Sequence, residues 1–189
     1  MEGASCEAER DVLLKNLEKR YGKLKLSICS FEHVGVQHVK QADGSYVLHQ
    51  HHYVEQLHPL ALDDIKDFTP DQAAPEHLVS PYISLVCAMA WTFVTSPTVC
   101  VYVSALQRYL AKPCAKHLQD ANRVLRYLKV RKPQLFFQKL EGPLRLLMVS
   151  DAAFTALDQQ GVALRGYFVL LAQTTQGLIG RMHVLEYAS

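Results

Sequence analysis

From His77 to Gln107 the chain carries no Asp, Glu, Lys or Arg. A run of that length could cross a bilayer as one helix, or could form the centre of a packed core. Pro81 and Pro97 interrupt it, and Ser80, Ser84, Thr92, Thr95, Ser96, Thr98 and Ser104 are scattered along it. Thr95-Ser96-Pro97 has the form of a helix N-cap followed by proline in the first turn. The stretch is therefore predicted to form two shorter buried helices, with no membrane span.

Charge is distributed unevenly around that segment. Residues 1–76 hold 8 Lys/Arg against 13 Asp/Glu, and residues 77–189 hold 12 against 5. Within 106–145 there are ten basic residues and two acids, Asp120 and Glu141. So dense a basic region on a chain of net charge +2 points to a polyanionic partner, although a solvated helix face has the same composition. The five cysteines, at 6, 29, 87, 100 and 114, form no C-x-x-C pair and are odd in number. They are read as reduced thiols in an intracellular protein, in cytoplasm or nucleus.

Residues 5–21 are predicted to form an amphipathic helix capped by Ser5, with Leu13, Leu14, Leu17 and Tyr21 as its apolar stripe and Gly22 as its stop. "KLKLSIC" is strand-like. Val34, Val36 and Val39 then lead into Asp43-Gly44, with Tyr46 and Leu48 beyond, a β-hairpin signal. The register slips between Val36 and Val39. A helix is expected from about Gln50 to Leu57, and the acidic, proline-bearing stretch 59–76 is read as a connector. Helices are predicted at about 80–94, 97–111 and 114–130. In the last, Leu118, Ala121, Leu125 and Leu128 share one face, while Lys116, Arg123 and Arg126 project from the other side. After Pro133 the period becomes that of strands, and the last three segments can pair as an antiparallel meander. Turns are expected at Gly142-Pro143, Gln160-Gly161 and Gln176-Gly177. A meander alone leaves a face open, so a covering element is expected that the sequence up to Ser189 does not offer.

"YVLHQHHYVEQLH" places His49, His51, His52 and His58 within ten positions. His51 and His52 are neighbours and cannot both face one metal along a helix. No Cys lies nearby to complete a tetrahedral site. They are read as surface histidines.

The stretch 78–130 resembles the copia-type retrotransposon polyprotein where its reverse transcriptase runs into ribonuclease H. The matching residues are Tyr82, Ser84, Leu85, Val86, Ala90 and Trp91, then Thr95, Pro97 and Ser104. They continue with Pro113, His117, Ala121, Arg123, Leu125, Arg126, Tyr127, Leu128 and Lys129. Upstream, Gly35, Gly44, Leu48, Gln50, Tyr53, Val54 and Leu57 occupy the family's pattern. Downstream, "SDAAF" and "LRGYFVLL" are similar to its ribonuclease H strands. Departures are Cys87 in place of a glycine, and Thr98 and Val99 in place of Asp-Ile.

The resemblance implies an α+β fold. It comprises incomplete palm and thumb elements (helix, β-hairpin, helical bundle) followed by the first three antiparallel strands of a ribonuclease H-like domain. The implied divisions are 1–58, palm end; 59–76, linker; 77–132, thumb or connection helices; and 133–189, truncated sheet. In the full-length family, Mg²⁺ held by clustered carboxylates serves both activities. This chain has no Tyr-x-Asp-Asp, and its one Asp-Asp pair, Asp63-Asp64, lies in the acidic connector. By resemblance Asp151 is the first ribonuclease H carboxylate, a metal ligand only if the rest of that domain is supplied; Asp158 is assigned no role. The chain alone is expected to be inactive and to need no cofactor. Arg108, Lys112, Lys116, Arg123 and Arg126 are the candidate phosphate contacts for an RNA–DNA hybrid or other nucleic acid, bound weakly and in a salt-sensitive manner. The alternatives are Arg123 and Arg126 packed beneath the sheet, a domesticated non-catalytic binding module, and a poorly folded remnant. The remainder of the polyprotein is a further possible partner.

Overall fold

The computed structural model describes residues 2–26, 29–152, 165–175 and 177–188. The charge-free stretch folds as helix, tight reversal and helix. Helix α3, Glu76–Ala90, runs into a 3-10 turn at Trp91–Val94, and a second 3-10 turn at Pro97–Val99 leads into α4, Cys100–Gln107. By length and composition Glu76–Val94 is apolar enough to cross a membrane. In this fold its Leu78, Tyr82, Leu85, Val86 and Met89 wall a core shared with α4 and α5, Ala115–Arg131.

Two expectations about this stretch are corrected. Helix α3 begins at Glu76 and continues through Pro81 rather than starting near residue 80. Pro81 removes one hydrogen bond to the carbonyl four residues back, but Pro81 and His77 are both exposed, so water can serve that carbonyl. The N-cap expected at Thr95-Ser96 does not form, since no side chain caps the turn at Pro97. Instead Thr95 Oγ1 donates to Gln50 Oε1 at 2.9 Å, and both residues are buried. Gln50 Nε2 donates in turn to the Trp91 carbonyl at 3.3 Å. A buried amide away from water must find such partners within the protein.

Leu118, Ala121, Leu125 and Leu128 are all buried, as the 3.6-residue spacing requires. Tyr82 is fully buried, and its hydroxyl donates to the Leu106 carbonyl at 2.8 Å, tying α3 to the end of α4. Residues 59–75 are packed against α5. Ile65 and Leu60 enter the core, and Asn122 grips Leu60 at both ends. Its Oδ1 accepts the Leu60 N–H at 2.8 Å, and its Nδ2 donates to the Leu60 carbonyl at 2.9 Å.

The first sheet has the order β1-β2-β3-β4, all antiparallel: Phe31–His33, Val36–Lys40, Tyr46–His49 and Leu135–Phe137. Asp43-Gly44 lies in the β2–β3 turn as expected. Gly44 has φ +82, and the Asp43 carboxylate accepts from the Ser45 N–H and hydroxyl. Upstream lies a second hairpin, while the step from Val36 to Val39 falls within the continuous strand β2. Val34 and Gly35 both have positive φ and form a two-residue β1–β2 turn, which exempts Val34 from the strand alternation. "KLKLSIC" forms no strand at 23–26, and Ser27 and Ile28 lie outside the described residues.

The last three strands form the expected meander, β5-β6-β7, at Leu144–Ala152, Arg165–Thr175 and Leu178–Ala188. The turn expected at Gln160-Gly161, the end of "SDAAF", Leu164 and Gln176 lie outside the described residues. Strand β4 pairs with β3 instead, so the strand grouping after Pro133 is split between the two sheets. His183 of β7 is buried, stacks on Phe137, and bonds through Nε2 to the Gln138 carbonyl at 2.6 Å, joining the sheets.

Helix α1, Glu2–Tyr21, starts ahead of Ser5, the residue expected to precede it. Leu13 and Tyr21 are exposed and Leu14 and Leu17 only half-buried, so the apolar stripe finds no core. Helix α2, His51–Gln56, follows β3 directly.

Thr95→Val removes a hydroxyl at nearly constant volume and strands Gln50 Oε1 in the interior. The expected cost is about 1–3 kcal/mol, read as a lower urea midpoint with an unchanged m-value. Adding Gln50→Leu should recover part of that loss, because the stranded acceptor is then gone. Strictly additive losses in the double-mutant cycle would show that the two side chains do not depend on each other.

Candidate nucleic-acid interface

The basic residues near α5 fall into two groups. Lys129 Nζ donates to the Glu55 carbonyl at 3.2 Å, and Lys132 Nζ lies 3.2 Å from Glu55 Oε1, so both cations fasten α5 to α2. His51 Nε2 lies 3.0 Å from the carbonyl of Lys132, the left-handed residue that ends α5. His49 stacks on His51 with ring centroids 4.0 Å apart. Two of the clustered histidines thus buttress the joint between β3, α2 and the end of α5.

The second group faces outward. Lys116, Asp120, Arg123 and Tyr127 succeed one another at i, i+4, i+7 and i+11 on the side of α5 opposite Leu118, Leu125 and Leu128. Arg126 is exposed on the flank of this row, and Lys112 is exposed in the loop before α5. Arg108, immediately after α4, is half-buried. Arg123 is paired with Asp120 at 2.8 Å while its side chain stays 68% exposed. An ion pair that open contributes little to stability and leaves the guanidinium accessible. Since Arg123 and Arg126 are both exposed, the alternative of a face packed beneath the carboxy-terminal sheet is set aside.

Between α4 and α5 runs a groove of about 790 Å³. Val99, Leu106 and Val124 line its apolar part, and Lys116, Asp120 and Arg123 supply its charge. Three tyrosines, Tyr102, Tyr109 and Tyr127, stand along it with exposed rings. Tyr102 and Tyr109 lie outside what charge density and helical period pick out in the sequence. The signal available was an aromatic residue on each side of a basic cluster.

The start of α5 fixes this wall. The Ala115 and Lys116 N–H groups donate to the carbonyls of Gln72 and Pro70, so the segment 59–75 satisfies two otherwise open donors. The Cys114 N–H donates to His117 Nδ1 at 3.0 Å, closing a capping box, and the His117 ring stacks on Tyr109 at 3.9 Å. Burial holds the His117 pKa below its usual 6.5. Asp120 and Asp71 oppose that shift and Lys116 assists it. The neutral ring leaves Nδ1 free to accept.

Asp151 is exposed on β5, opposite Gly166, and Asp158 lies outside the described residues. Among the described residues no group of three or more His, Cys, Asp or Glu is placed to hold a metal ion. One exposed carboxylate does not fit a pair of Mg²⁺ ions. Asp63 and Asp64 are exposed, with Asp63 paired to Lys66 at 2.7 Å and Asp64 to His77 at 3.2 Å.

The pKa values of His38, His49 and His117 are all depressed, chiefly by burial, with His33 adding to the effect at His38 and His51 and His52 at His49. The unfolded chain takes up protons near 6.5, where the folded chain resists them. Their contribution to stability is therefore complete above 6.5 and lost as pH falls below it toward the folded-state values. The melting temperature should fall from about pH 7.5 to about 5.5. His117→Gln retains a capping-box acceptor that does not titrate, and calorimetry should give it a shallower fall. A wild-type slope in that variant would exclude His117 as a contributor.

Over 95 residues, half of this chain, the sequence is 34% identical to a transposon Ty5-1 protein of Saccharomyces cerevisiae. The aligned part covers 31% of that relative, so this chain spans about a third of its length. No protein-family model matches, and no solved structure does. The similarity supports a transposon origin for the chain.

Proposed function

We propose that the chain is a piece of a copia-type retrotransposon polyprotein and that its α4–α5 face grips nucleic acid. On this reading it comprises the palm end and thumb-like helices of a reverse transcriptase, then opening strands of a ribonuclease H-like sheet. The observation that carries the binding role is the outward row on α5. Lys116, Arg123 and Arg126 are exposed on the side away from the core, with Lys112 exposed just before them. Cations so placed meet phosphates whatever the base sequence, and binding of that kind weakens steeply with salt.

Two further facts support the polyprotein reading. Gln50, Tyr82, Thr95 and His117, through which the resemblance runs, are among the side chains that make the internal joints. The yeast relative is itself a transposon protein. The partner is an RNA–DNA hybrid or a related nucleic acid, met inside the cell. Any Mg²⁺-dependent chemistry belongs to carboxylates that the remainder of the polyprotein supplies, and the chain alone turns over neither primer nor hybrid.

Arg123→Glu with Arg126→Glu should weaken binding to an RNA–DNA hybrid at least about tenfold and lower the slope of log K against log salt by about 2. Fluorescence anisotropy across a salt series measures both quantities. Unchanged affinity in the double variant would sink the binding reading. Mg²⁺-dependent nuclease or polymerase turnover by the wild-type chain would sink the inactive one.

A further inference from the structure

Phosphate contacts explain the cations of α5 but not the tyrosines beside them. Tyr102 is 61% exposed and Tyr127 41%, and a duplex backbone gives such rings nothing flat to stack on. Lys116 and Arg123 lie about 10 Å apart along the helix, at the 1.5 Å rise of seven residues. Asp120 lies between them. Its carboxylate repels phosphate from the middle of the groove and is paired with Arg123 at 2.8 Å, so phosphate sits most freely at Lys116 and, at Arg123, on the open side of a guanidinium that stays 68% exposed. The apolar lining of Val99, Leu106 and Val124 then suits the flat, uncharged part of a ligand. At about 790 Å³ the groove has the volume of a site for a molecule of one or two rings. The Tyr109 ring is already held by its stack on His117, so this part of the platform is set before anything binds.

We propose that the α4–α5 groove takes an unpaired nucleic-acid strand, its bases stacked on Tyr102 and Tyr127 and its phosphates on Lys116 and Arg123. This rests on the nucleic-acid reading above and narrows it from any polyanion to a single strand. Exposed aromatic rings interleaved with cations are what a base and its phosphate require together, and stacking tolerates every base.

The test uses the full chain, a fluorescein-labelled single strand of about 12 nucleotides, the matching duplex, and a single strand carrying 2-aminopurine. Tyr102→Ala and Tyr127→Ala should each weaken single-strand binding about tenfold and leave duplex binding within about twofold. Tyr102→Phe, which keeps the ring, should bind like wild type. Wild type should quench 2-aminopurine on binding, and the alanine variants should quench it less. Melting curves check that each variant is folded, and Tyr102→Phe keeps the test valid if an alanine variant is not. If duplex and single strand bind but both alanine variants hold the single strand as wild type does, stacking is overturned and backbone binding stands. If neither probe binds wild type at about 50 mM salt, both readings fall and the groove is left to a protein partner.

Discussion

The fold turns on one buried amide. Gln50 sits where β3 becomes α2, and its two polar atoms reach Thr95 and the Trp91 carbonyl across the reversal that divides the charge-free stretch. That reversal decides how α4 lies against α5, because it sets where the chain leaves α3. Tyr53 adds a second tie, its hydroxyl donating to the Ala88 carbonyl at 3.0 Å. Tyr82 adds a third at the far end of α4. Each bond alone is worth only about 1 kcal/mol net, but an unpaired partner in the interior would cost more. The three therefore act less as adhesive than as registration, since an alternative packing of the helices leaves buried polar groups without partners.

The same logic sorts the basic residues. A cation on the inner flank of α5 is consumed by a joint, as Lys129 and Lys132 are at Glu55. A cation on the outer face is left to solvent or to a ligand, as Lys116 and Arg126 are. Charge density along 106–145 could not separate these groups. Helical phase could, given the position of α2, and that position is a tertiary fact set by Gln50 and His51. The histidine cluster is explained similarly, with His51 reaching the end of α5 and His49 stacked against it.

Elements governed by local chemistry were legible from sequence. The Asp43-Gly44 turn needs only a positive φ and a carboxylate near Ser45, and the face of α5 needs only its period. What sequence could not give depended on distant partners. Thr95 has the chemistry of an N-cap and the spacing for it, yet an acceptor 45 positions away takes its hydrogen bond. Leu135–Phe137 reads as the first strand of the carboxy-terminal run, yet β3 offers it an edge first. Asn122 stood at a position the family pattern leaves open, yet it anchors Leu60. Helix α1 shows the reverse error, because amphipathic spacing states that a face can be buried and does not supply something to bury it against. For the groove, the tyrosines were visible as letters, but their common edge appears only when α4 lies beside α5.

Burial is divided unequally between the two halves, and this bears on where binding can occur without cost to the fold. The helical core holds Tyr82, Val86, Met89, Val103, Leu118 and Ala121 with essentially no exposure, at about 1.5–3 kcal/mol for each large apolar side chain. On the meander, by contrast, Leu146, Met148 and Leu178 are all about two-thirds exposed or more and contribute little of that kind. The meander is connected to the rest through the pairing of β4 with β3 and the bond from His183 to Gln138. The groove lies on the well-buried half. Its outer residues can change while the inner face of α5 still holds the core, so variation at Lys116, Arg123 or Tyr102 is expected to leave the fold in place.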